Sequence, residues 1–91
     1  MADRIERLAS WVGRTTWPGT FNVWVVEDLT EAVKHVQRGR WNDAHEMLTG
    51  AMLGIRFTVD NVATAEMYLE QLATLEQWIH TLKTDIQKLV P

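Results

Sequence analysis

The sequence predicts a mostly α protein, a small bundle of three to four helices forming one domain over 1–91 and ending in a long heptad helix. Its 91 residues are 46% hydrophobic and 23% charged, a length and balance that suit one compact globular domain. Apolar side chains recur at steps of three and four through most of the chain, the spacing of one helix face. There is no cysteine, so neither a disulfide nor a thiolate-bound metal holds the fold, and packing must do so.

The first element is a short helix over Asp3–Val12, with Ile5, Leu8, Ala9 and Val12 on one face and Gly13 as its stop. Trp17-Pro18-Gly19 is turn chemistry, because proline presets φ for one turn position and glycine accepts a positive φ at the next. Residues 21–26 are rich in β-branched and aromatic side chains, yet Phe21, Trp24, Val25, Leu29, Ala32, Val33 and Val36 also form a helical stripe. Asp28-Leu29-Thr30-Glu31 has the form of a capping box and marks a helix start at 28. That helix ends at Arg38-Gly39.

A third helix is expected from Asn42 or Asp43, with Ala44, Met47, Leu48, Ala51 and Ile55 facing the core and Gly54 as its C-cap. Residues 55–59 alternate like a strand. A lone strand leaves backbone groups unpaired, so 21–26 and 55–59 are either both strands, giving an α+β alternative with a minor two-stranded element, or neither is. From Asn61 to Leu89 the residues Ala65, Tyr68, Leu72, Leu75, Ile79, Leu82, Ile86 and Leu89 repeat without a fault. They predict a helix of roughly 25 residues, the longest in the chain. Val62, Leu69 and Val90 on one flank and Trp78 on the other widen this stripe, as expected for a helix packed on two neighbours in a bundle rather than paired in a zipper.

Nine basic against twelve acidic side chains give a net charge of −3, which makes nucleic acid an unfavourable partner. No run approaches the length of a membrane span and the N-terminus lacks the pattern of a secretory signal, so a cytoplasmic protein with no membrane partner is expected. Raw material for catalysis is scarce. Ser10 is the only serine, no glycine-flanked nucleophile elbow surrounds it, and no phosphate-cradling glycine loop is present. His45-Glu46-Met47-Leu48-Thr49 lacks the second histidine of a zinc-binding H-E-x-x-H helix, and His35 and His80 lie on other segments. The expectation is no enzyme, no cofactor and no metal.

Two sets of residues stand out as sites. Arg38, Arg40 and Trp41 could bind a ligand, with the guanidinium groups forked onto phosphate and the indole stacked on a base, although cations are ordinary at a helix C-terminus. Five tryptophans are more indole than so small a core readily encloses, and Trp78, Leu69, Val62, Trp24 and Trp41 are the candidate interface. Gly39-Arg40-Trp41-Asn42-Asp43-Ala44 resembles the turn of a tetratricopeptide-type helical hairpin, in a single copy. Leu48-Thr49-Gly50, the alternating stretch after it and the acid-started heptad helix resemble, over about half the chain, the small phage head-to-tail joining proteins. The function expected is a non-catalytic interaction or assembly module, self-associating or docked on a larger protein. Two alternatives are a small ligand-binding or inhibitory protein, such as a phage anti-defence protein, and a phage structural component.

Overall fold

Residues 1–90 are described by the computed structural model. They form α1 (Ala2–Arg14), α2 (Phe21–Gln37), α3 (Trp41–Asn61), a 3-10 helix (Ala63–Tyr68) and α4 (Leu69–Gln87). Helix α1 packs on α2, α2 on α3 and α3 on α4. Asp28 lies beside Gly50 and His35 beside Asp43, an antiparallel register. The ring closes differently. Helices α1 and α4 meet through long side chains rather than close backbones, with Arg4 on Asp85 and Trp11 on Trp78. The result is an up-down-up-down bundle in which the α2/α3 face lies opposite the α1/α4 face.

The periodic residues fill its centre. Ile5, Leu8 and Val12 of α1, Val25, Leu29 and Ala32 of α2, Leu48 and Ile55 of α3, and Leu72, Leu75, Ile79 and Ile86 of α4 are all buried. Among the described residues there is no strand, and both 21–26 and 55–59 are helical. Phe21 and Val25 continue the stripe of Leu29 and Ala32, and Ile55 continues that of Leu48 and Ala51. Burial at a 3.6-residue period outweighs the β propensity of these side chains. Trp24 leaves the stripe: about 60° back from Phe21 on the helical wheel, it is 55% exposed.

Three boundaries differ from those the sequence suggests. Asp28 caps nothing, since α2 already runs from Phe21 behind Thr20. Gly54 is not a C-cap either, because α3 starts at Trp41 and passes straight through it to Asn61. The segment 61–89 is divided: Val62 is extended, 63–68 is 3-10, and α4 with 19 residues is shorter than α3 with 21. Val62, Ala65 and Tyr68 are three apart, a spacing that a 3-10 helix brings onto one line, with Ala65 buried.

The turns follow glycine chemistry. Gly39 has φ +71°, with its N–H on the Val36 carbonyl and the Arg40 N–H on that of His35. This is a Schellman closure, which needs a left-handed residue. Gly19, at φ +59°, reverses the chain after Trp17-Pro18.

Candidate functional site

Arg4, Arg7, Trp11 and Arg14 follow one another by three, four and three residues, which places them along one side of α1 beside its buried Ile5-Leu8-Val12 stripe. From α4, Trp78, Thr81 and Leu82 face them. These seven residues line a cleft of about 600 Å³, within the range of ligand and anchor-residue pockets. Its floor is aromatic. The Trp11 and Trp78 rings stack with centroids 6.1 Å apart and 24° between planes, and Trp17 meets Trp11 edge-on at 5.4 Å.

The floor is tied to the core through Trp17, which is buried and packs on Phe21. Its indole Nε1 donates to the Val12 carbonyl at 2.8 Å, where α1 is running out of intrahelical partners. Trp78 remains 51% exposed.

Arg4 is held by Asp85 at 2.8 Å, and Lys88 approaches the other oxygen of the same carboxylate at 3.8 Å. The Arg4 hydrogen bond holds the Asp85 carboxyl below the usual carboxylate range, with the charges of Arg4 and Lys88 adding to it. Arg14 donates from Nε to the Ser10 carbonyl at 3.2 Å. Among the described residues, neither Arg7 nor Arg14 forms an ion pair. Two guanidinium groups thus stand exposed beside the stacked indoles, able to fork onto a carboxylate or phosphate.

The opposite face has the reverse character. Trp24, Glu27 and Glu31 of α2 lie beside Glu46, Leu53 and Phe57 of α3, and Asp28 sits at the seam with its Oδ2 3.6 Å from where a Cβ on Gly50 would be. Burial, then the neighbouring Glu27 charge, raises the Asp28 carboxyl above its ordinary value. His35 has its Nδ1 buried without a hydrogen-bond partner, 4.0 Å from Asp43. His45 and His80 stand on other helices, and among the described residues no group of three metal-ligating side chains is placed to hold an ion.

The residues singled out in the sequence are dispersed by the fold. Trp78 lies in the α1/α4 cleft and Trp24 on the far face. Leu69, nine residues before Trp78 or about two and a half turns, projects from the other flank of α4, where it shares a shallow groove with Val62. Trp41 is half-buried against the core and, with Gly39, Arg40, Asn42, Asp43 and Val90, borders a groove at the opposite end of the bundle. Arg38 does not line it, and the Asp43 carboxylate does. Arg4, Arg7, Trp11 and Arg14 are not among the residues that stand out in the sequence, although their spacing on α1 is legible there. What could not be read is that α4 brings Trp78 to them.

Among the described residues no helix is long and apolar enough to cross a membrane. No protein-family model matches the chain, nor does any curated protein or solved structure, so the helical-hairpin and head-to-tail resemblances rest on their short motifs alone.

Proposed function

We propose that the chain is a non-catalytic protein–protein interaction module whose contact surface is the α1/α4 cleft. The observation that carries this reading is the Trp11–Trp78 stack, half open to solvent between Arg7 and Arg14. Tryptophan and arginine are the residue types most enriched at binding hot spots. Here the indole is fixed in place by its neighbours, so little side-chain freedom is left to lose on contact. Arg7 and Arg14, free of internal carboxylates, supply charged donors at the rim.

A photo-crosslinking residue in place of Thr81, which lies exposed in the cleft, tests the reading in the cell that makes the protein. The expected result is a discrete crosslinked product containing a second protein chain. It should disappear when Trp78→Ser and Arg7→Glu are combined in a variant that keeps its helix content. Absence of any such product retires the cleft as a contact surface.

A further inference from the structure

We infer that the occupant of the α1/α4 cleft is the acidic, apolar α2/α3 face of a second copy of this chain, so that copies associate head to tail. The inference rests on the cleft being a contact surface and adds the identity of the partner. Three arginines line the cleft; Arg4 is held by Asp85, while among the described residues Arg7 and Arg14 have no ion-pair partner, in a chain whose net charge is −3. Five of the twelve acidic side chains lie on the other side of the bundle. Glu27, Asp28 and Glu31 on α2 and Asp43 and Glu46 on α3 lie along one seam, and Lys34 pairs with only Glu31, at 3.1 Å.

Apolar surface matches as well. Beside these acids Trp24, Leu53 and Phe57 are 55%, 65% and 55% exposed, and the antiparallel register sets Trp24 level with Gly54, where nothing lies within 4 Å of an added Cβ. Dimensions agree: Arg4 to Arg14 spans about 15 Å along α1, and Glu27 to the level of Asp43 about 12 Å along α2. One contact between two copies would cover Trp78 on one and Trp24 on the other.

Because the two faces lie on opposite sides of the bundle, the contact is heterologous. Each copy that docks leaves one cleft and one acidic face unused, so association continues past two copies, into an open chain or a closed ring. Complementary charge also makes it sensitive to salt.

Sedimentation of the full chain and of two charge-reversed variants tests this. Wild type should associate beyond a dimer at micromolar concentration in low salt and dissociate in high salt. Arg7→Glu with Arg14→Glu, and separately Glu27→Lys with Glu31→Lys, should each weaken association by more than about tenfold. Mixed one to one, the two variants should assemble again, since each supplies the face the other has reversed. If circular dichroism shows either variant to be misfolded, the neutral pairs Arg7→Gln with Arg14→Gln and Glu27→Gln with Glu31→Gln replace them; each should weaken association, and mixing them should restore it only in part, through the one native contact between the acidic face of the first variant and the cleft of the second. A wild type that stays monomeric, an assembly that stops at two copies, or variants that associate like wild type would overturn the inference. If wild type is monomeric while Thr81 still crosslinks to a different protein, the self-partner fails and the cleft reading survives. If neither association nor a crosslink is seen, both fail.

Discussion

Trp17 is the indole on which Trp11, and through it Trp78, leans. It contacts Trp11 on one side and Phe21 on the other, and its N–H occupies a carbonyl at the end of α1. Trp17→Phe keeps an aromatic ring in place and removes the hydrogen bond, at an expected cost of about 1 kcal/mol. Trp17→Ala also leaves a cavity and should cost about 3–5 kcal/mol; urea denaturation separates the two. Asp28 offers a pH-dependent test. With its carboxyl raised in the folded state by burial and by Glu27, the folded protein binds that proton more tightly than the unfolded chain does. Ionisation therefore weakens the fold as pH rises through the folded value. Asp28→Asn should raise the melting temperature at pH 7, a gain that fades as pH falls towards the ordinary carboxyl value of 3.8. Asp85 has the opposite sign, because its lowered carboxyl favours the fold above the ordinary carboxylate range and loses that contribution in acid. In the sequence Asp28 looks like a cap, because an acid three residues before a glutamate is equally what the polar margin of a buried helix contains.

Helix α3 is the element whose sequence is most at odds with its form, since Gly50 and Gly54 lie in its interior and each costs about 1 kcal/mol relative to alanine. A Cβ at Gly54 would meet nothing within 4 Å, so Gly54→Ala should stabilise the monomer by about 0.5–1 kcal/mol in thermal or urea unfolding. The elements with a clean stripe, α1 and the body of α4, were legible because one face alone is apolar. Residues 21–26 were ambiguous because β-branched side chains satisfy both periods, and only the partners that bury Phe21 and Val25 decide between them. The break after Asn61 had little to announce it. The stretch 60–68 contains neither glycine nor proline, and the reversal is made by Val62 in extended geometry, while the Asn61 side chain donates to the Phe57 carbonyl at 2.9 Å. Such a break follows from the need to fold α4 back against α3, which the apolar repeat alone does not record.

At the scale of the molecule, the candidate site is a product of topology. Its arginine-tryptophan stripe is present in α1 and the exposed flank of α4 in Trp78, but their meeting requires the first and last helices to close a ring. That closure is also the least secure part of the bundle. Helices α2 and α3 each have close backbone neighbours on two sides, whereas α1 and α4 each have one and bridge the remaining gap with indoles and one exposed ion pair. Opening should begin at that gap, so amide hydrogens of α1 and α4 should exchange with solvent faster than those at the centres of α2 and α3, and hydrogen–deuterium exchange resolved by residue checks this. An occupant gripping Arg7 and Trp78 together would span the gap and act as a clasp on the whole fold. Its arrival would then be registered as slowed exchange along the inner sides of α1 and α4, at amides that touch no part of it.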